Sequence, residues 1–340
     1  MKRLKIILIS ISFFAFAFNV HGDNDCKNAL YQANKLYETG KIQEAITRLE
    51  SCISDEMSKE EISEAYKLLA SAFSDLKKNE ERDKYLLLLL KTTPNYQKSP
   101  NNDSKEITSA INQYTIRPLL QVGVKIGGNI NNPIISESYS PVDFTQKYLP
   151  AVGYQFGLNL DYNLFEKTSL TLGLSVQGLS IKHEMIDKGN WKKNYNELMN
   201  TYNVAFGGLR YISLKKNLSA FGGIDFGLGI LNMSKVNVKT ERLSPKSIDQ
   251  QSKDATLERN KLMPNVGAKL GLVFNVNDRG ALIKLDWGFT AYTNTTVLKD
   301  KRVTDSEFIF RTKYINDDIK PQLMTLNITF SLPVAYKISK

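Results

Sequence analysis

Few side chains in this sequence are placed to do covalent chemistry. Two histidines are present, His21 and His183. Nucleophilic or acid–base catalysis at neutral pH usually draws on an imidazole with a hydroxyl and a carboxylate beside it. Ser180 and Glu184 flank His183, but strand alternation does not bring the three together as a triad. No His, Cys or carboxylate spacing matches a metal site, and no glycine motif matches a phosphate cradle. The reading is non-enzymatic, with no catalytic, cofactor-binding or metal residues and no cofactor. Two kinds of chemistry remain. Cys26 and Cys52 can form a disulfide, and Lys125, Asp161, Asp225, Lys269, Lys284 and Asp286 recur at positions where they can neutralise one another.

The elements that position these groups begin with an export signal. Lys2, Arg3 and Lys5 precede an apolar run from Ile6 to Phe18, and Val20-His21-Gly22 suits cleavage after Gly22. Residues 1–22 are read as a signal peptide. Asp23-Asn24-Asp25 before Cys26 is the wrong chemistry for a lipobox. Export places both cysteines where a disulfide persists. The formal net charge is +10, of which the signal supplies Lys2, Arg3 and Lys5. The remaining excess lies in the C-terminal part. After export its natural neighbours are outer-membrane lipid and lipopolysaccharide, with no nucleic acid.

Residues 23–95 carry a helical period. Ala29, Ala33, Leu36 and Tyr37 line one helix, Gly40 punctuates, and Ala45, Ile46, Leu49, Cys52 and Ile53 line a second. Ala33, Leu36, Gly40, Ala45 and Leu49 resemble the small–large–Gly–Ala–large order of a tetratricopeptide repeat. Tyr66, Leu69, Ala70, Phe73, Leu86, Leu89 and Pro94 resemble a second copy, which departs at Lys77 and Arg82, where the repeat has Gly and Ala. The resemblance implies a periplasmic module with a groove for a protein partner. Two repeats bury little surface, and a Cys26–Cys52 bridge would close the pair by joining the start of the first helix to the end of the second.

Residues 96–117 read as a linker, with one or two helical turns from Glu106 to Tyr114. From Pro118 the period becomes 2. Apolar and polar residues alternate over Leu120–Gly127, Tyr154–Asn163, Leu170–Gln177, Tyr202–Ile212, Leu218–Ile230, Asn265–Phe274, Ile283–Thr290 and Met324–Leu332, eight segments in all. The polar face is rich in Gly, Ser, Thr and Asn, which suits the crowded interior of a small barrel. Connections around 131–150, 181–200, 232–258 and 293–320 are long and polar, whereas those around 163–168, 212–217 and 275–280 are tight. That alternation marks a transmembrane β-barrel with both termini in the periplasm. Residues 118–340 resemble the small outer-membrane barrels of the OmpA/OmpX-like and PorT-like type. A helical module ahead of such a barrel resembles a Bacteroidetes-type envelope protein. Trp191, Trp287, Tyr154, Tyr162, Tyr202, Tyr211 and Phe289 are candidates for the aromatic girdles. Ala335 to Lys340 trails beyond Phe330, in place of a terminal aromatic residue.

The expectation is a multi-domain chain: an eight-stranded antiparallel transmembrane barrel behind a small all-α module, placed in the outer membrane with the module in the periplasm. Its function is to anchor that module for protein–protein interaction. A small channel, or a ligand-binding barrel that recognises ligands through its long loops, is the alternative. With the bridge formed, Cys52→Ala or reduction lowers the stability of the helical module by about 3–4 kcal/mol. Urea unfolding of the full chain with and without reductant measures this, and equal midpoints exclude the bridge.

Overall fold

The computed structural model describes residues 28–53, 57–94, 96, 103–139, 144–187, 191–243, 246–276, 280–302, 306–312 and 315–340. The signal peptide, Cys26 and the centre of the turn at Asn277-Asp278-Arg279 lie outside the described residues. The chain divides into two units, Met1–Gln113 and Tyr114–Lys340.

The first unit contains α1 (Ala29–Glu38), α2 (Ile42–Cys52), α3 (Lys59–Asp75), α4 (Asn79–Thr92) and α5 (Lys105–Ile111). α1 packs on α2, and α3 packs on α4. Ala29, Ala33, Ala45, Ile46, Leu49 and Cys52 are buried in the first pair, and Ala65, Leu69, Phe73, Leu86, Leu89 and Leu90 in the second. Ser58 and Glu61 form a capping box that fixes the start of α3: the Ser58 Oγ accepts from the Glu61 amide, and the Glu61 carboxylate accepts from the Ser58 amide. α5 falls inside the stretch read as a linker, at the place where helical turns are expected.

The two helix pairs turn in the same way. Gly40 has φ +79, with Lys41 N–H donating to the Leu36 carbonyl. Lys77 has φ +56, with Lys78 N–H donating to the Phe73 carbonyl. Both are left-handed C-terminal caps, the position that favours glycine. Lys77 is thus the residue where the repeat pattern calls for Gly, and the backbone keeps the glycine geometry without the glycine.

The second unit is a closed sheet. β1 (Thr115–Asn131), β4 (Ala151–Phe165), β5 (Thr168–Asp187), β6 (Trp191–Lys215), β7 (Leu218–Leu243), β9 (Leu262–Asn275), β10 (Leu282–Tyr292) and β12 (Gln322–Ser339) pair in that order, and β12 returns to β1. All eight ring pairings are antiparallel. β12 runs to Ser339 opposite Thr115, so Ala335 to Ser339 belongs to the closing ladder. This corrects the reading of those residues as a trailing tail. The register slips around Leu119, beside Pro118, which has no amide hydrogen to give to a ladder.

The barrel is apolar outside and polar inside. Val122, Val124, Phe156, Leu158, Leu174, Val204, Phe226, Leu270, Trp287, Leu326, Ile328 and Phe330 are exposed on its outer face. Gln121, Gln155, Asp161, Thr171, Gln177, Lys284, Asp286, Asn327 and Thr329 are buried on the inner one. At the edge of the outer belt the Tyr154 ring lies against Gly178 too closely for any Cβ there, and the Tyr154 hydroxyl donates to Asn200 Oδ1 at 3.0 Å.

Two stretches expected as loops are strands. β5 and β6 continue together across residues 182–186 and 192–196, and β6 pairs with β7 across 191–199 and 234–242. β3 (Phe144–Leu149) adds to β5, and β8 (Lys246–Asp254) adds to β7. A five-stranded sheet, β3-β5-β6-β7-β8, therefore rises beyond the belt. The reading of 181–200 and 232–258 as loops fails for a physical reason. In the belt of β5 the apolar residues are the outward Leu172, Leu174 and Val176. Beyond it they are the inward Leu179, Ile181 and Met185, with polar Ser180, Lys182 and Glu184 outside. The alternation inverts between Val176 and Leu179, and an inversion reads as an interruption. β2 (Ile134–Glu137) pairs with β11 (Asp318–Lys320), and α6 (Ser306–Thr312) completes the cover at this end.

Replacing Lys77 by Gly removes the left-handed strain and is expected to raise the stability of the helical unit by about 0.5–1 kcal/mol. Urea unfolding followed by helical circular dichroism measures it. An unchanged or lowered midpoint would show that Lys77 is not held at positive φ.

Candidate functional site

The inward residues of the ring strands meet in layers along the lumen. Nearest the short turns, Lys284 Nζ lies 2.6 Å from Asp161 Oδ2 and donates to the Tyr211 hydroxyl at 3.3 Å, which also accepts from Ser169 Oγ at 3.2 Å. In the next layer Lys269 pairs with Asp225 at 3.1 Å, and Asn327 Nδ2 donates to Asp286 Oδ1 at 2.8 Å. Gln155 donates to Asn327, Gln177 Nε2 donates to Gln155 Oε1 at 3.0 Å, and the Tyr292 hydroxyl donates to Gln177 Oε1 at 3.0 Å. Lys125 shares a remaining space of about 70 Å³ with Asp225, Lys269 and Asp286. All six charges anticipated from the sequence thus face the lumen. They form ion pairs and amide chains that hold the wall strands together across the interior, which is what buried charges require.

Towards the long-loop end the lumen turns apolar. Leu179, Ile181, Met199, Leu231, Met263, Tyr292, Ile319 and Leu323 form a buried cluster with Tyr148 against it. Above it lies a second polar layer. Arg259 Nε reaches Glu197 Oε1 at 2.6 Å and its Nη2 reaches Glu197 Oε2 at 3.0 Å. Ser234 Oγ and the Tyr195 hydroxyl each donate to Glu197 at 2.6 Å, and Asn316 Oδ1 accepts from Arg259 at 3.1 Å. Burial alone would raise the Glu197 carboxyl. The Arg259 charge and these hydrogen bonds overcome it and hold the group below the usual carboxylate range. A further apolar cluster of Met185, Tyr195, Val236, Val238, Ala255 and Phe308 closes the end under α6. Sequence reasoning missed Arg259 and Glu197, because Glu197 lies in a stretch read as a loop, Arg259 lies between that kind of stretch and the next strand, and the two pair only through the tertiary fold.

His183 faces inward on β5, beyond the apolar belt, and is buried. Its ring stacks on Tyr148, with centroids 4.1 Å apart and planes 6° from parallel. The Tyr148 hydroxyl donates to Asp317 Oδ2 at 2.7 Å, and Asp317 Oδ1 accepts from the Tyr139 amide at 2.8 Å and Ser138 Oγ at 3.1 Å. Ser180 and Glu184 lie on the opposite face of β5, and Glu184 pairs with Lys192. The three residues weighed as a catalytic set do not converge. Among the described residues no group of three His, Cys, Asp or Glu side chains is arranged to hold a metal ion.

Two girdle candidates are corrected. Tyr211 faces the lumen, where it meets Lys284. Trp191 lies in the raised sheet, with the Arg242 guanidinium 5.3 Å from its ring. Trp287, Tyr154, Tyr162, Tyr202 and Phe289 are exposed on the outer face. Cys52 is buried at the end of α2, and its expected partner Cys26 lies outside the described residues.

Burial pushes the His183 imidazole down to about 4, opposed by the Asp317 carboxylate. The native state therefore prefers the neutral ring. Stability present above pH 6.5 is lost as pH falls towards 4, by about 3 kcal/mol at most, and stays level below. An NMR titration of His183 in the full-length protein is expected to give a midpoint near 4. A midpoint near 6.5 would show that water reaches the ring and that this end stands open.

No family model matches the chain, and no curated protein matches it in sequence. Solved structures similar to it include Ail, the attachment invasion locus protein of Yersinia pestis, at 11% identity and a TM-score of 0.25, covering 62% of this chain and 98% of that one. Neisserial surface protein A is 8% identical with a TM-score of 0.30, covering 64% and 98%. The outer membrane protein OprG from Pseudomonas aeruginosa is 10% identical with a TM-score of 0.28, covering 63% and 95%. At these TM-scores the barrel architecture rests on the strand pairing of this chain itself.

Proposed function

We propose that the protein is a non-enzymatic, non-conducting outer-membrane barrel that anchors a periplasmic helical module for contact with a protein partner. The carrying observation is the inverted polarity of the eight-stranded ring. Exposed Val, Leu, Ile and Phe side chains cover its wall while Asp, Lys, Gln and Asn are buried within it. Water would penalise that wall, whereas hydrocarbon favours it, and a closed ring leaves no unpaired strand edge in lipid. The signal peptide reading supports export, and the basic surplus suits outer-membrane lipid and lipopolysaccharide.

The strand order supports a periplasmic position for the helical unit. Thr115 opens β1 at the end of the barrel that holds the short turns, opposite Ser339 at the end of β12. Short turns face the periplasm in barrels of this kind. The matching left-handed caps at Gly40 and Lys77 support a two-repeat, tetratricopeptide-like reading. An open groove of about 390 Å³ lined by Leu36, Gln43, Glu44, Thr47, Arg48 and Ser51 is the surface on which a partner would lie. A Cys26–Cys52 bridge would brace this pair.

The apolar cluster across the lumen and the small space below it disfavour the channel alternative. The raised sheet favours a second reading, recognition at the loop end, because among the described residues its outer strands β3 and β8 each pair on one side only.

The test is a comparison of boiled and unboiled outer-membrane fractions by gel electrophoresis, followed by planar-bilayer recording of the purified protein. A mobility shift on boiling with no unitary conductance is expected. A soluble periplasmic protein without a shift would overturn the membrane reading, and stable conductance steps would replace the anchor with a channel.

A further inference from the structure

The short-turn mouth of the barrel opens into a cavity of about 400 Å³ lined by four cations, Arg117, Lys167, Lys216 and Lys337, and one carboxylate, Glu166. We propose that this mouth is a binding site for a phosphate-bearing anion, held between Arg117 and Lys337 and approached by Lys167 and Lys216. The inference stands on the barrel geometry and does not require the helical unit to bind a partner.

Three observations carry it. First, Arg117 and Lys337 are directly opposite one another in the closing β1–β12 ladder, and both line the cavity. Like charges facing each other across an antiparallel pair destabilise it. An anion between them reverses the sign of that interaction.

Second, among the described residues four cations line the mouth against one carboxylate, Glu166. Glu166 reaches Arg117 at 3.5 Å but is 71% exposed, so this contact is weak. The buried Asp161 carboxylate of the neighbouring lumen layer is already engaged with Lys284. Among the described residues the lumen above holds three lysines, Lys125, Lys269 and Lys284, against three aspartates, Asp161, Asp225 and Asp286, so its formal charges balance.

Third, the cavity has the right chemistry in its walls. Asn217, Ser213, Ser219 and Asn275 offer neutral polar groups, and Leu119 and Phe165 form an apolar side. Arginine and lysine together suit a phosphate, which accepts a forked guanidinium contact and further point-charge donors. The volume admits a phosphate with a glycerol-sized substituent resting against the apolar side. The phosphate can come from the headgroup of an anionic phospholipid in the adjacent leaflet or from a soluble phosphate ester.

The experiment uses the full-length protein in neutral detergent, with folding of every variant checked by its heat shift. Isothermal titration with inorganic pyrophosphate reads the soluble source. Co-flotation with vesicles of phosphatidylglycerol in phosphatidylcholine, against phosphatidylcholine alone, reads the lipid source after detergent removal. The Arg117→Gln, Lys337→Gln double variant and the single variant Lys216→Gln, which sits in an exposed turn, test the site. Lys182→Gln, in the raised sheet at the opposite end, is the control.

Binding of pyrophosphate that weakens about tenfold in the double variant, less in Lys216→Gln and not in the control supports the site with a soluble ligand. Preference for phosphatidylglycerol vesicles that disappears in the mouth variants supports it with a lipid headgroup. Absence of both, or binding that survives the mouth substitutions, overturns the proposal.

Discussion

The ladder between β1 and β12 is the constraint on which the barrel depends. It joins Thr115–Asn131 to Leu323–Ser339, the first and last strands of the unit, and so turns an open sheet into a ring. An open sheet of the same strands would expose two rows of unpaired amide and carbonyl groups, which hydrocarbon cannot satisfy. Once the ring closes, every alternate residue faces inward and every other one outward. The ladder also forces Arg117 opposite Lys337, so the charged mouth is a direct consequence of closure.

Closure then sets the chemistry of the interior. A ring of eight strands encloses a narrow space that side chains fill. Inward glycines give way to the bulk around them. A Cβ on Gly127 would collide with the Asn327 side chain, the same amide that links Gln155 to Asp286. Of the six charges inside, Lys284 pairs with Asp161 and Lys269 with Asp225. The end away from the short turns is closed differently, by apolar side chains with a buried Arg259–Glu197 pair above them. Removing one partner of such a pair leaves an uncompensated buried charge, so this layer fixes how the cover sits on the barrel.

The helical unit follows a separate logic. Its two turns are fixed locally, by hydrogen bonds back onto the preceding helix at Leu36 and Phe73. The backbone adopts the left-handed cap with either glycine or lysine, because helix packing on both sides outweighs a local cost of about 1 kcal/mol. Pattern matching that looks for glycine therefore underrates the second pair, although its geometry equals that of the first.

The sequence by itself determined the strands in the belt, the helices, the short turns and the six inward charges. Each follows from a local period, 2 or 3.6, set by one apolar face against one uniform environment. It also excluded a catalytic triad, since Ser180 and His183 differ in parity. Only the tertiary structure decided the following. Residues 181–187, 191–200, 232–243 and 246–254 are strand, because the apolar face of β5 changes sides beyond Val176 and local periodicity cannot follow the change. Tyr211 turns inward to Lys284, because that partner lies on a distant strand. Arg259 meets Glu197, and Arg117 faces Lys337, because ring closure and loop folding bring together residues whose separation along the chain carries no signal of contact.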